Sequence, residues 1–288
     1  MDRSERKVSV VTGASGGIGR WIALGLARAG HHVVLVCRDT ARGEATAAWI
    51  AQHAPASSTE LRLVDLSSLY ATRDLGQEIV ATHPRLSLLV NNAGIFTARR
   101  QLTAEGLEMV LAVNHLAPFV LTDALEGALR AGSPSRIVNV GSSTSDHARI
   151  DFEDLELRQH WGMVRAYGQS KLAMMISTFA RAERLRGTGV VANVVHPGTV
   201  ATGLIREKGA IGVAWRLMAP FLRTEEQGAD TPLHVALSRA WATTTGAYVK
   251  DRAAVRPNAR ALDPVLVAKV DAATLALVAQ TAPARLGD

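Results

Sequence analysis

Short, β-branched apolar runs alternate with longer Ala/Leu/Arg-rich stretches along nearly the whole chain, and this alternation limits what it can fold into. The runs Val8–Thr12, His32–Cys37, Leu61–Val64, Leu86–Asn91, Arg136–Val140 and Val190–His196 are almost continuously apolar, as strands covered on both faces must be. Between them, Ile18–Ala29, Arg42–Gln52, Leu69–Thr82, Leu107–Leu129 and Ala166–Leu185 carry a helical period. Strand–helix–strand units with right-handed crossovers make such a sheet parallel. With a short further strand at Ala247–Lys250, the sequence predicts an α/β fold: a doubly wound parallel sheet of about seven strands, helices on both faces. Thr224-Glu225-Glu226-Gln227 has the form of a capping box, and Asp263-Pro264 that of an N-cap followed by proline at the first helical position.

The 288 residues, 48% hydrophobic and 20% charged, suit one large domain, and neither a linker nor an internal repeat divides residues 1–288. About 18 successive apolar residues occur nowhere, and the N-terminus has no secretory apolar region, so the expectation is a soluble cytoplasmic protein with no membrane partner. Net charge is +6, but the basic residues are scattered, Arg99-Arg100 being the densest pair, which argues against nucleic acid. Cys37 is the only cysteine, which excludes an internal disulfide; inside an apolar strand it reads as a packed thiol. His53, His83 and His160 are isolated in sequence and Asp151, Glu153, Asp154 and Glu156 read as a solvated loop face, so no metal site is expected.

Thr12-Gly13-Ala14-Ser15-Gly16-Gly17-Ile18-Gly19 joins the first strand to the first helix. Glycines there let the backbone turn tightly and approach a pyrophosphate, which the helix N-terminus then attracts. By itself such a turn is also compatible with a plain tight connection. The second strand ends Val36-Cys37-Arg38-Asp39, with no acid where one would hold a ribose 2′-hydroxyl. Arg38 therefore points to NADP(H), while the opposing reading leaves Arg38 in solvent and gives the ribose to Asp39. Tyr167 and Lys171 stand at i and i+4 of a helix, so the ammonium is expected to draw the phenol down from its usual pKa of about 10 and equip it for proton transfer.

Together these residues resemble the short-chain dehydrogenase/reductase family across about Lys7 to Lys250, and within it the retinol-dehydrogenase-type reductases. The resemblance rests on Thr12-Gly-x-x-x-Gly-x-Gly19, Asp65-Leu66, Asn91-Asn92-Ala93-Gly94, Asn114, Ser142, Tyr167-x-x-x-Lys171 and Pro197-Gly198. It implies a Rossmann-type sheet and a cofactor site built from Gly13, Ser15, Gly17, Ile18, Gly19, Arg38, Asp65, Leu66, Asn92, Ala93, Gly94, Tyr167, Lys171, Pro197, Gly198, Val200 and Thr202. Asp65 and Leu66 would frame the adenine, Asn92 to Gly94 the adenosine side, and Pro197, Val200 and Thr202 the nicotinamide. It further implies catalysis by Asn114, Ser142, Tyr167 and Lys171, with Ser143 the alternative register for the serine. Relatives of this kind usually associate through the Tyr167 helix and its neighbour, which implies a homodimer or homotetramer.

The implied reaction moves a hydride between NADP(H) and a carbonyl or alcohol; a cofactor-sensing protein of the same fold that does no chemistry is the competing class. Residues 199–222 lack a strand period, and Trp215 and Met218 belong to a run that either covers a hydrophobic ketone or aldehyde or simply packs on the body. His147, Phe152 and Trp161 are candidates for the opposite pocket wall, and residues 251–288 form a C-terminal tail.

Overall fold

The computed structural model describes residues 6–200 and 222–281. The strands are β1 (Val8–Thr12), β2 (His32–Cys37), β3 (Ser58–Leu63), β4 (Leu88–Asn91), β5 (Ser135–Val140), β6 (Val190–His196), β7 (Tyr248–Lys250) and β8 (Ala253–Val255). They form one eight-stranded sheet in the order β3-β2-β1-β4-β5-β6-β7-β8. All neighbours pair in parallel except β7 and β8, which are antiparallel. The sheet is thus of the Rossmann type, with one strand more than the sequence indicates. That strand, β8, is an exposed three-residue edge whose Ala-Ala-Val carries no burial period. At the other edge β3 starts at Ser58 rather than Leu61, because an edge strand tolerates polar residues such as Thr59 and Glu60.

The helices are α1 (Gly17–Arg28), α2 (Thr40–His53), α3 (Leu69–Thr82), α4 (Met109–Ala131), α5 (Met163–Arg184), α6 (Glu225–Leu237) and α7 (Pro264–Gln280). Capping sets their starts: Asp39 accepts from Arg42 N, Ser68 from Ala71 N, and Thr224 and Gln227 form a full capping box. Asp263 caps α7 ahead of Pro264, as the sequence indicates. Each face of the sheet has its own core. Val11, Val33, Leu35 and Val90 pack under α1 and α6 with Ile22, Leu26 and Val235, while Val10, Val34, Leu89 and Ile137 pack under α3 and α4 with Ile79, Leu121 and Leu125. Fully burying an aliphatic side chain stabilises by roughly 1.5–3 kcal/mol, so these two layers anchor the sheet.

By length and composition α4 is apolar enough to cross a membrane, but 78% of that stretch is buried inside the fold, which makes it a core helix. Within α4, Ala112–Leu116 run as a π-helical turn. The C-terminal helix α7 lies over this region and α5: Val270 packs with Leu172 and Met175, Leu277 and Val278 pack with Leu116 and Val120, and His115 Nε2 bonds Thr274 Oγ1 at 2.8 Å.

Candidate active site

Parallel strands place their carboxyl ends along one edge, and the loops leaving β1, β4, β5 and β6 meet there. The glycine turn follows β1. Gly13 and Gly17 both have positive φ, 66° and 57°, and a Cβ on Gly13 would stand 2.9 Å from the Ala93 Cα. Gly16 caps α1 without a side-chain bond, and its first turn has no acidic residue, so its N–H groups and positive dipole end face outward. Thr12 ties this turn to the β4 loop: its Oγ1 accepts from both Asn92 N and Ala93 N at 3.0 Å, and Asn92 Nδ2 donates to Thr12 O at 3.0 Å. These features fit a dinucleotide: a close-approach backbone and a helix N-terminus for phosphate, with the Arg42 guanidinium beside it.

At the end of β2, Cys37 is buried and its thiol is pushed up to about 11, chiefly by burial, so it is an unreactive packing residue. Arg38 is exposed. The Asp39 carboxylate is engaged in capping α2, with Arg42 N donating at 2.8 Å. Arg42 itself, which the sequence reading does not single out, reaches back over the glycine turn and donates to Ser15 O at 3.2 Å. After β3, exposed Asp65 accepts from Ser67 N, and Leu66 is partly buried against both the sheet and the α4 side. After β6, Pro197 is buried, Gly198 has φ 85°, and Val200 contacts the α6 helix, since a Cβ on Gly228 would meet Val200 Cγ2 and Ile18 Cγ1. Thr202, Trp215 and Met218 lie outside the described residues.

Helix α5 presents Tyr167 and Lys171 to this edge. Tyr167 is 8% exposed, set edge-on to Phe96 at 5.0 Å between ring centroids and packed with Leu157, Ala166 and Trp161. The side chain of Ser142, the residue following Gly141 after β5, lies near enough to its hydroxyl to lower the phenol's pKa. Ser142 Oγ also accepts from Thr144 Oγ1 at 3.0 Å. Lys171 is 3% exposed, and its Nζ donates to Val140 O at 2.8 Å while lying 5.9 Å from the Tyr167 ring centroid. Asn114 sits in the π-turn of α4, accepting from Ile95 N at 2.8 Å and donating to Ile95 O and Ser170 Oγ. Gly94 lies between them, with room for a Cβ only 3.3 Å from Asn114 Oδ1 and 3.4 Å from Lys171 Nζ. Tyr167, Lys171, Ser142 and Asn114 thus come from three elements to one place.

The electrostatics differ from what the helical spacing indicates. Burial pushes the Tyr167 phenol up to about 12, partly opposed by the nearby Ser142 side chain, and burial brings the Lys171 ammonium down to about 8. Desolvation among Phe96, Leu157 and Trp161 outweighs the attraction of a neighbouring amine. Thus the phenol is a neutral donor near neutral pH.

The loop carrying Ser142 is held from behind by residues far away in sequence. Tyr248 Oη donates to Asp146 Oδ1 at 3.0 Å, Lys250 Nζ pairs with Asp146 Oδ2 at 2.6 Å, and Asn258 Nδ2 donates to Ser145 O at 2.9 Å. No local pattern marks Phe96, Ser170, Tyr248 or Asn258 as site residues. His147 is exposed on the rim of a cavity of about 780 Å³ whose walls also include Phe152, Val164 and Lys269, but neither Tyr167 nor Ser142 lines it. Glu156 departs from the solvated face expected of it: it is buried, accepting from Glu108 N at 3.1 Å and paired with Arg158. Met174 and Met175 pack in the core.

Residues 7–210 match the short chain dehydrogenase family. The chain belongs to that family. Among relatives of this short-chain dehydrogenase, retinol dehydrogenase 12 of Bos taurus is 40% identical over 256 residues, covering 88% of this chain and 81% of its own. A solved structure from Mycobacterium Paratuberculosis superposes with TM-score 0.77 at 29% identity, covering 96% of this chain and 94% of that one. A short chain dehydrogenase from Burkholderia cenocepacia J2315 in complex with NADP superposes with TM-score 0.69 at 27% identity, covering 86% and 97%. Family membership makes the chain an oxidoreductase of the kind that uses a nicotinamide cofactor and a small-molecule substrate.

Proposed function

We propose that this dehydrogenase transfers a hydride between NADP(H) and a hydrophobic aldehyde, ketone or corresponding alcohol, with Tyr167 as the general acid/base. The observation that carries the reading is the convergence of the Tyr167 hydroxyl, Ser142, Lys171 and Asn114 beside the glycine turn. When bound, the cofactor supplies the hydride. The chain's own part is to orient the substrate oxygen and manage its proton. Ser142 donates to that oxygen and stabilises the charge that develops there. Tyr167, neutral near pH 7, gives the oxygen its proton during reduction and takes it back during oxidation. Lys171 favours the phenolate that remains, and Asn114 fixes the β4 loop beside it.

Preference for the 2′-phosphorylated cofactor follows from two cations, Arg38 just after β2 and Arg42 in the first turn of α2, and from Asp39, whose carboxylate is committed to its helix. The NADP-bound structural neighbour supports this. The apolar wall of Phe96, Leu157 and Trp161 around the phenol, and the names of the retinol dehydrogenase relatives, support a bulky apolar substrate. The expected homodimer or homotetramer would have to form beyond α7, which covers the α4–α5 face and exposes Val265 and Leu275 outward. Light scattering during size exclusion reads that state.

The test follows nicotinamide absorbance with NADPH or NADH and a panel of aldehydes and ketones, all-trans-retinal among them. NADPH consumption is expected with the apolar members. Replacing Arg38 and Arg42 together by Ala should raise KM for NADPH at least tenfold and leave that for NADH within about twofold, matching the loss of about 1.4 kcal/mol or more of phosphate binding. Equal loss with both cofactors would remove the two arginines from phosphate recognition.

A further inference from the structure

At the opposite edge of the sheet from Tyr167, three side chains unrelated in sequence converge. His32 opens β2, Glu60 is the third residue of β3, and His83 caps the C-terminus of α3. Parallel pairing sets His32 beside Ser58 and Val34 beside Glu60, so His32, Ser58 and Glu60 share the face that α3 covers. Sequence spacing leaves His83 isolated; the fold does not. His83 Nε2 lies 2.8 Å and His32 Nε2 3.4 Å from the same oxygen, Glu60 Oε2, and the three ligand atoms lie within 4.8 Å of one another.

From this juxtaposition we propose a binding site for a divalent transition cation, Zn2+ first, held by His32 Nε2, His83 Nε2 and Glu60 Oε2. Zinc bonds of about 2.0–2.1 Å at tetrahedral angles place neighbouring ligands about 3.3 Å apart, and the two measured separations bracket that value. The outer contacts are those of an oriented ligand set. Ser58 Oγ lies 2.8 Å from His32 Nδ1, where accepting its proton leaves Nε2 free to bind, and Arg62 Nε holds the other carboxylate oxygen, Oε1, at 2.5 Å. The side chains are 17–27% exposed, so water can supply the fourth ligand. Two imidazoles and one carboxylate disfavour Mg2+ and Ca2+, which take oxygen ligands. The nearby cations Arg62 and Arg6 oppose the metal's charge and weaken its binding. Such a site would clamp the β2–β3 edge to the end of α3, which makes it structural and separate from the reaction.

Thermal unfolding of the full chain with Zn2+ alone, at pH 7.5 and with Mg2+ as control, tests this. With Zn2+ at about a hundred times its Kd, Tm should rise by roughly 5 °C. Co2+ should develop the intense visible absorption of a four-coordinate site. Both His83→Ala and Glu60→Gln should weaken binding at least tenfold while keeping the wild-type circular dichroism spectrum; His83 and Glu60 are part-exposed, so either variant serves if the other fails to fold. No zinc-dependent rise in the wild type, or an equal rise in a folded variant, would show that the three groups are only a hydrogen-bonded cluster.

Discussion

The Lys171 ammonium donates to Val140 O at 2.8 Å, and burial brings its pKa down to about 8. It is therefore charged below that pH and neutral above it. Tyr167, pushed up to about 12, stays protonated across the same range. In the reducing direction, kcat/KM for NADPH, which reports groups of the free enzyme, should be level near pH 7 and fall as pH rises through about 8. A profile that stays level to pH 9.5 would take Lys171 out of the proton-handling group. The motif residues here were legible because each is fixed by its local chain: Tyr167 and Lys171 by helical spacing, the glycines by the turn. The protonation states were not legible, because they depend on Phe96, Leu157 and Trp161, which the fold assembles from separate segments.

Helix α7 holds the reverse side of the site in place. Thr274 Oγ1 is the partner of His115 Nε2, and His115 is one residue beyond Asn114 in the π-turn. Among the described residues His115 Nδ1 has no partner, so losing Thr274 would strand the whole imidazole. Thr274→Val should cost about 1–3 kcal/mol in urea unfolding and lower kcat by loosening Asn114. Unchanged stability would mean that α7 contributes nothing through this bond. At this scale the central strands were legible, since β1, β2 and β6 are nearly continuous apolar runs. The two edges were not. Ser58–Leu63 is only partly buried and Ala253–Val255 is exposed, so neither needs an apolar period to pair. Nor does any pattern in Ala-Val-Asn-His-Leu announce a π-turn.

Across the whole molecule, burial first of all keeps His31 at about 4, His115 at about 3 and His196 at about 4. Their unfolded counterparts titrate near 6.5. Between those values the unfolded chain binds more protons than the folded one, so stability falls as pH falls from about 6.5 towards 3–4. Urea unfolding at pH 5 should be easier than at pH 7 by on the order of a few kcal/mol, and His115→Gln should shrink that difference. Equal stability at the two pH values would contradict the neutral burial of these rings.

The sheet order, the glycine turn and the α5 pair all converge on one proposed event, transfer of the Tyr167 hydroxyl proton to a substrate oxygen. Single-turnover mixing of the Tyr167→Phe variant with NADPH and an aldehyde that the wild type reduces measures that event most directly. The account predicts NADPH binding within about twofold of the wild type and a reduction rate lower by about 10²–10⁴-fold or more. Reduction by the variant at the wild-type rate would contradict it.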